Sequence, residues 1–344
     1  MIPIPARSRR LMRYALITGG LGFIGSFVAR RLIKEDRVDK VILLDHYGRY
    51  TSSTREGFVD YRRLRIKGIE DSIIIERGEP RYHSVLYQLI HKYHPKFIFH
   101  LAALPLAKIK NLTTQEGLEG SVVSTSNILE LIGMMKQETG YEPERFIYAS
   151  SSMVYGDFIK EPADESHPTN PKEIYGTMKL LGEELTRGLS RFYGIKSTII
   201  RPSAVYGPTD MNRRVSQIFV EKAMKNETIC IHGEEEALDF TYVKDIAKGF
   251  VLASEHEAAI GETFNITYGK ARTLLDFVLI LKQYFTEIKY EIVPRDTFRP
   301  KRGTLSVEKA NKLLSYTPDY DLESGIAEYM AFIREHHPER YAQT

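Results

Sequence analysis

The chain is poor in the residues that would point to a secreted or membrane protein. A single cysteine, Cys230, excludes an internal disulfide framework and a cysteine-based metal cluster, and it suits a reducing compartment. No apolar stretch approaches the roughly 18 residues needed to span a bilayer. The opening "MIPIPARSRRLM" has arginines but no apolar core, so we expect a loose arm rather than a secretory signal. We therefore expect a cytoplasmic protein without a membrane partner.

The chain also lacks a large excess of positive or negative charge. The formal net charge of +3 is too small to indicate a nucleic-acid partner. The basic patch "YRRLRIKG" at 61–68 indicates a solvated helix face or loop, with phosphate or acidic-partner contact as the alternative reading. His91 and His94 flank a predicted helix end and indicate surface histidines. We predict neither a metal site nor nucleic-acid binding.

What the chain has is a regular alternation of apolar runs and helical segments. Runs that are apolar throughout predict strands buried on both faces of a parallel sheet. The alternation predicts an α/β fold, with a doubly wound parallel (Rossmann) sheet and a smaller mixed α/β lobe. We predict one domain over 12–206, to which parts of 238–265 return, and a lobe over 207–344. The strand-like runs are "RYALITGG", "KVILLD", "SIIIERGE", "FIFHLAA", "RFIYASS" and "KSTIIRP".

A glycine-rich turn joins the first predicted strand to the first helix. In "TGGLGFIG", Gly19, Gly22 and Gly25 recur every third residue, which lets backbone N–H groups approach a pyrophosphate at a helix N-terminus. Asp45 ends the second strand, where a carboxylate can bind an adenosine ribose and repel a 2′-phosphate. NAD is therefore favoured over NADP, although Arg49 weakens that preference. A glycine turn without a ligand is the alternative.

A tyrosine and a lysine stand one helical turn apart in "YGTMK". Tyr175 and Lys179 share a helix face, and an ammonium beside a phenol lowers the pKa of the phenol towards neutrality. Ser151 ends the preceding strand and can bind the same substrate oxygen. The three residues together would move the proton of a hydroxyl while hydride leaves its carbon. The Tyr-x-x-x-Lys pattern alone fits a surface helix equally well; its position after a strand that ends in serines favours catalysis.

From about residue 13 to residue 329 the chain resembles the extended short-chain dehydrogenase/reductases, specifically the NAD-dependent nucleotide-sugar epimerase/dehydratase family. The resemblance implies a catalytic triad of Ser151, Tyr175 and Lys179, and a homodimer that pairs through helices at 125–136 and 175–193. The motifs that carry it, in the family's order, are "TGGLGFIG", "FHLAA", "SSSMVYGD", "YGTMK", "RPSAVYGP", "DFTYVKDIAKG" and "RPKRGTLSVEKANKLLSYTPDYDLESGI".

The resemblance also implies two binding sets, one in the NAD-binding domain and one largely in the substrate lobe. The cofactor set comprises Gly19, Gly22, Phe23, Ile24 and Gly25 at the pyrophosphate, Asp45 at the ribose, Glu79 near the adenine, Leu101, Ala102 and Ala103 along the cofactor, and Tyr175, Lys179, Pro202 and Ser203 at the nicotinamide end. The substrate set comprises Ser151, Ser152, Met153, Tyr175 and Ala204, with Arg213, Arg214 and Arg299 for the nucleotide diphosphate, since the planar guanidinium binds phosphate oxygens in pairs.

Three positions depart from the family pattern. Ala204 and Ser121 each stand where many relatives carry asparagine, and Leu238 stands where many carry arginine. The change at Leu238 removes an expected phosphate partner, so Arg299, Arg302, Arg213 or Arg214 would carry more of that work. These departures leave hydride chemistry intact and leave the sugar open.

The residues after Ser151 bear on the reaction. The resembling 4,6-dehydratases carry two acids there, and the related decarboxylases usually carry a glutamate at the second position, whereas this chain has Ser152 and Met153. A thioether neither takes nor gives a proton, so elimination lacks its machinery. We predict epimerisation at C4 of a nucleotide sugar, by preference a UDP-sugar, with a UDP-uronic acid left open by Arg213 and Arg214. The alternatives are a dehydratase, a keto-reductase and a non-enzymatic dinucleotide sensor.

Overall fold

The computed structural model describes residues 12–48, 59–104, 113–285, 287–295 and 297–338. Arg49 and the opening residues 1–11, on which predictions were made above, lie outside these ranges. The strands are β1 Tyr14–Thr18, β2 Lys40–Asp45, β3 Ile73–Arg77, β4 Phe97–His100, β5 Arg145–Ala149, β6 Ser197–Pro202, β7 Val205–Tyr206, β8 Ile229–His232, β9 Ala237–Leu238, β10 Thr241–Tyr242, β11 Thr263–Ile266, β12 Arg272–Thr273 and β13 Tyr290–Val293. The helices are α1 Phe23–Lys34, α2 Arg62–Ile66, α3 His83–Tyr93, α4 Thr114–Gly117, α5 Ser124–Thr139, α6 Ile174–Tyr193, α7 Val215–Met224, α8 Val243–Glu255, α9 Leu274–Leu281, α10 Glu308–Leu314 and α11 Leu322–His336.

A seven-stranded sheet forms the centre of the molecule, in the order β11–β6–β5–β4–β1–β2–β3. All neighbouring strands run parallel, and Thr18 at the end of β1 pairs with His100 of β4 and Leu44 of β2. The strand order reverses between β1 and β4, which opens a crevice at their carboxyl ends. The predicted α/β doubly wound sheet is confirmed.

Helices cover both faces of the sheet because its strands are apolar on both sides. Along β1, Ala15 and Ile17 face a core formed with α1 and α8, whereas Leu16 faces a core formed with α3, α5 and α6. This alternation follows from the two-residue period of a strand. The sheet is therefore buried on both faces, and a ligand can approach its residues only at the strand ends.

A separate apolar cluster lies in the second half of the chain. It is built from α7, α9 and α11 together with the short pairs β7–β10, β8–β13 and β9–β12. Residues of α8, β11 and α10 instead pack into the core beneath the main sheet, so the chain crosses between the two cores more than once. The division into a domain at 12–206 and a lobe at 207–344 stays a prediction.

Candidate active site

The turn after β1 is a cradle that only glycine fits. Gly19 has a φ of +70°, and its N–H donates to the carbonyl of Leu44 at 2.8 Å. A Cβ on Gly22 would lie 2.8 Å from the carbonyl oxygen of Gly19, and one on Gly25 would lie 2.5 Å from the same oxygen. Both distances are too short for a side chain. The turn and helix α1 therefore pack backbone against backbone, as a pyrophosphate cradle requires.

Helix α1 points its N-terminus at this turn. Its N-cap is Gly22, which has no side chain to accept hydrogen bonds from the first turn. The backbone N–H groups of Phe23 and Ile24 thus stand at a positive helix end without a side-chain cap, where an anion is favoured. The residues present fit the diphosphate of NAD.

The edge of the cradle carries the residues predicted to hold the adenosine end. The carboxylate of Asp45 accepts the N–H of Leu21 at 3.2 Å and that of Tyr47 at 2.8 Å. The carbonyl of Asp45 accepts the N–H of Gly78 at 3.1 Å, which places Glu79 beside it at the end of the neighbouring strand. Both carboxylates thus lie at the same edge of the sheet, as the cofactor prediction requires.

The far wall of the cradle is the segment after β4. A Cβ on Gly19 would lie 3.1 Å from the Cα of Ala102, and the N–H of Ala102 donates to the hydroxyl of Thr18 at 3.2 Å. Leu101 and Ala103 flank this contact and are half-buried. The predicted lining segment is therefore adjacent to the glycine turn.

The reading of the basic patch as a solvated face is wrong at Arg65, whereas Arg63 and Lys67 of the same patch are exposed. The side chain of Arg65 is buried, and its guanidinium is satisfied by backbone oxygens. Nη1 donates to the carbonyl of Leu21 at 2.7 Å, and Nη2 donates to that of Thr209. Burial lowers the pKa of Arg65 to about 10. Arg65 thereby links Leu21, which lies between two glycines of the cradle, to the loop that precedes α7. The sequence reading failed here because both acceptors are backbone oxygens remote in sequence.

Tyr175 and Lys179 lie on one face of α6, next to the end of β5. The Nζ of Lys179 donates to the carbonyl of Ala149 at 2.6 Å and lies 5.9 Å from the centroid of the Tyr175 ring. Gly176 lets the helix approach this closely, since a Cβ there would lie 2.6 Å from the carbonyl oxygen of Met153. Ser151 is buried, and its side chain lies close enough to Tyr175 to favour the ionised phenol. The three predicted catalytic residues are therefore together.

Burial sets the acid–base properties of this group. It lowers the pKa of Lys179 to about 7, against the opposing charge of Glu183. It raises the pKa of Tyr175, against the positive charge of Arg214 and the nearby side chain of Ser151. Arg214 is thus a cation that favours the phenolate, a role for which the sequence predicted Lys179.

The turn that follows Ser151 holds no carboxylate. The N–H of Met153 donates to the hydroxyl of Ser151 at 3.2 Å, and Met153 itself is half-buried. The hydroxyl of Ser152 is buried without a hydrogen-bond partner among the described residues. An unpartnered buried hydroxyl beside the predicted catalytic serine, Ser151, is available to a polar group of a ligand.

Arg214 is the predicted phosphate-binding arginine that the structure places at the reacting end. Its guanidinium lies 5.6 Å from the ring centroid of Phe23 and donates to Asp210 at 3.3 Å, close enough to Tyr175 to lower its pKa. Arg213 is half-buried, and its N–H donates to the side chain of Gln217 at 2.6 Å.

Arg299 is exposed, on the segment after β13. Its carbonyl accepts Arg295 at 2.9 Å, and its charge acts on Arg302, which is half-buried. Arg302 in turn lies in electrostatic reach of Glu173, the residue before α6. The second group of basic residues thus lies near the start of α6, the helix that carries Tyr175 and Lys179.

The positions that depart from the family have distinct surroundings. Ala204 follows the buried Pro202 and Ser203 at the end of β6 and has a φ of +37°. Leu238 is buried in the second core, opposite Arg272 in the β9–β12 pair. Leu238 is therefore a core residue here.

Sequence reasoning missed a buried polar cluster beneath the predicted catalytic residues. Glu183 and Arg201 form an ion pair at 2.6 Å, and both are almost completely buried. Glu183 lies one turn beyond Lys179, so helical spacing could have drawn attention to it. No spacing points to Arg201, because its partner lies on another element.

A glycine cradle at the switch point of a parallel sheet, with a serine, a tyrosine and a lysine gathered beside it, defines a short-chain dehydrogenase/reductase site. The chain belongs to the NAD dependent epimerase/dehydratase family, which it matches over residues 15–267. The predicted family and the predicted cofactor, NAD, are confirmed.

Named relatives cover nearly the whole chain. It is 30% identical to a putative UDP-glucose 4-epimerase of Methanocaldococcus jannaschii, over 90% of this chain and 95% of that protein. It is 27% identical to UDP-glucuronate 4-epimerase 4 of Arabidopsis thaliana, over 92% of this chain and 74% of that protein. The crystal structure of UDP-glucuronic acid 4-epimerase from Bacillus cereus, in complex with UDP-glucuronic acid and NAD, aligns with a TM-score of 0.83 at 25% identity, over 94% of this chain and 99% of that one.

The described residues contain neither a membrane-spanning helix nor a metal-binding cluster. In the ranges that the structure covers, no helix combines the length and the apolar character needed to cross a membrane. Over the same ranges, no group of three or more His, Cys, Asp and Glu side chains is arranged to hold a metal ion.

Proposed function

We propose that this protein epimerises C4 of a nucleotide sugar, in the first place a UDP-sugar. The observation that carries the proposal is the assembly of Ser151, Tyr175 and Lys179 beside a turn that lacks the acids of a dehydratase. The relatives named above support it, because each carries the name of a UDP-sugar 4-epimerase.

The chemistry follows from the residues at the site. NAD, when bound, would accept hydride from C4 and return it. Tyr175 takes the proton of the C4 hydroxyl and later returns one, while the hydroxyl of Ser151 binds the same oxygen. Lys179 and Arg214 place positive charge near the phenol and so favour its ionised form. A 4-keto sugar that turns over in the pocket is reduced from its other face, which inverts C4.

Arg214 also bears on the choice of substrate. Its guanidinium lies over the ring of Phe23 in the cofactor cradle and within electrostatic reach of Tyr175, so an anionic group near the reacting carbon would meet a cation. A UDP-uronic acid, which carries a carboxylate on the sugar ring, fits this arrangement. We propose it as a candidate beside the neutral UDP-hexoses.

The test is a substrate panel read by mass spectrometry and proton NMR. Purified protein is incubated with UDP-, CDP-, GDP- and TDP-sugars, including a UDP-uronic acid. An isomer of unchanged mass supports epimerisation, whereas loss of water would show a dehydratase. A reduced product with oxidised NAD would show a reductase. Bound NAD without turnover of any sugar would favour the sensor and would overturn the proposal.

We further propose that the protein is a homodimer paired through α5 and α6. The two helices pack side by side. They expose large apolar side chains, among them Met134, Leu181 and Phe192, the last with 76% of its surface exposed. A second copy that presents the same two helices would cover these side chains.

A further inference from the structure

A single buried carboxylate lies beneath the proposed catalytic residues and contacts every element that carries them. Glu183 belongs to α6, one turn beyond Lys179, and its side chain is fully buried. Its Oε1 accepts the hydroxyl of Ser150 at 2.5 Å and the Nε of Arg201 at 2.8 Å. Its Oε2 accepts Arg201 at 2.6 Å and Arg187 at 2.7 Å. The carboxylate is thus satisfied by four donors.

Two of its three partners, Ser150 and Arg201, adjoin a residue of the proposed active site. Ser150 directly precedes Ser151 at the end of β5, and Arg201 directly precedes Pro202 and Ser203 at the end of β6. Because Glu183 itself shares a helix with Lys179, one carboxylate links the three elements from which the site is built. An ion pair of this kind has fixed geometry, since the guanidinium binds the carboxylate with two parallel hydrogen bonds.

Arg201 extends the cluster to the turn after the catalytic serine. Its Nη1 donates to the hydroxyl of Tyr155 at 2.9 Å, and that hydroxyl donates to Asn265 at 2.7 Å. Tyr155 ends the turn that begins at Ser152. The guanidinium of Arg201 therefore holds the end of this turn through Tyr155, while Glu183 holds Ser150, the residue before Ser151.

We propose that Glu183 is a positioning residue, which holds Ser151, Lys179 and the Pro202–Ser203 segment in register through Ser150 and Arg201. It does not touch substrate. Arg201 is its obligate partner, because removing one member of a buried ion pair leaves the other charge uncompensated. The expected change in kcat rests on the proposed function. The expected change in the pKa of Lys179 does not, because it can be measured without a substrate.

The electrostatic consequence concerns the charge of Lys179. The groups that surround its Nζ are Tyr175 and Glu183 on α6, the Tyr148 ring and Ala149 carbonyl on β5, and His100 on β4. Burial lowers the pKa of His100 to about 3, so this imidazole is neutral. Among the described groups, Glu183 is thus the negative charge that favours the ammonium form of Lys179.

The experiment compares Glu183→Gln with Glu184→Gln, the neighbour whose side chain is 63% exposed and binds Arg187. Glutamine keeps the shape of Glu183 but removes its charge. Since Glu183 raises the pKa of Lys179, its neutralisation lets Lys179 lose its proton at lower pH. The alkaline limb of the kcat profile should move down by about one pH unit. We expect kcat to fall about tenfold, with KM changed less than about twofold; Glu184→Gln should match the wild type.

A second variant, Ser150→Ala, keeps the proposal testable if Glu183→Gln fails to fold. Ser150→Ala removes one hydrogen bond to Glu183 and leaves the ion pair with Arg201 intact, so it should fold, retain NAD and lose kcat several-fold. Wild-type kcat and pH profile in Glu183→Gln would overturn the proposal. If Glu183→Gln does not fold, wild-type kcat in Ser150→Ala would overturn it.

A measurement that needs no sugar substrate, the titration of Lys179, tests this inference separately from the proposed function. The titration of Lys179 is followed by NMR in protein labelled with ¹³C-lysine, and its signal is assigned by Lys179→Met. In Glu183→Gln the titration midpoint should move to lower pH, whereas in Glu184→Gln it should not. A shifted midpoint in a protein that turns over no nucleotide sugar would refute the proposed function alone. An unshifted midpoint would refute the electrostatic role of Glu183.

Discussion

At the scale of single residues, the proton chemistry depends on one phenol. Tyr175 lies beside Lys179 on α6 and close to Ser151, so replacing its hydroxyl removes the proposed base and little else. Tyr175→Phe should retain bound NAD and lose turnover by about a hundredfold or more. The measurement is kcat on the substrate found by the panel, together with the NAD content of the purified variant. Full activity in this variant would show that another group takes the proton.

Ala204 offers a test of stability. With a φ of +37° it lies in the left-handed region, which costs an ordinary residue roughly 1–2 kcal/mol but which asparagine visits more readily. Ala204→Asn should raise the free energy of unfolding by about 1 kcal/mol and Tm by about 2 °C, measured by calorimetry. Ala204→Val should act in the opposite direction, because a β-branched side chain is strained there. A less stable asparagine variant would contradict this account.

At the scale of elements, the short helix α2 connects the cofactor cradle to the loop before α7. Arg65 makes this connection, since it donates to Leu21 of the cradle and to Thr209 of the loop. Arg65→Met keeps the length and removes these hydrogen bonds, so the affinity for NAD should fall about tenfold. The measurement is calorimetric titration of NAD-free protein with NAD.

The neighbouring Arg63 provides the control for this prediction. It is exposed on the same helix, so Arg63→Met should bind NAD as the wild type does. Arg65→Lys, which keeps a charge but offers fewer donors in a fixed geometry, should recover part of the affinity. Equal NAD affinity in the Arg65 and Arg63 methionine variants would show that the cradle does not depend on α2.

At the scale of the whole molecule, the proposed dimer makes a prediction about assembly. Phe192→Glu places a charge on the face of α6 that would be covered in the dimer, so the variant should be monomeric in size-exclusion chromatography with light scattering. Ile159→Glu is the matched control, because Ile159 is equally exposed at 76% but lies outside α5 and α6. A monomeric wild type would refute the dimer itself.

The sequence by itself determined the fold class, and it predicted a set of site residues that the structure brings close together. Apolar runs in strict alternation with helices leave a doubly wound sheet as the way to bury both strand faces, and the spacing of glycines or of Tyr175 and Lys179 is a local property that helix geometry turns into proximity. The glycine cradle and Asp45 could be predicted for the same reason, since both lie at the ends of adjacent parallel strands.

Only the tertiary structure decided which distant residues support that site. The sequence predicts a solvated Arg65 and gives no sign of the pair of Glu183 with Arg201, because their partners lie on other elements and leave no periodic signal in the sequence. Burial changes the meaning of such residues: a charge that is ordinary in water must find specific donors or acceptors once it is enclosed. Which charges are enclosed is fixed by the packing of the helices on the sheet, and that packing brings together side chains that the order of the sequence keeps apart.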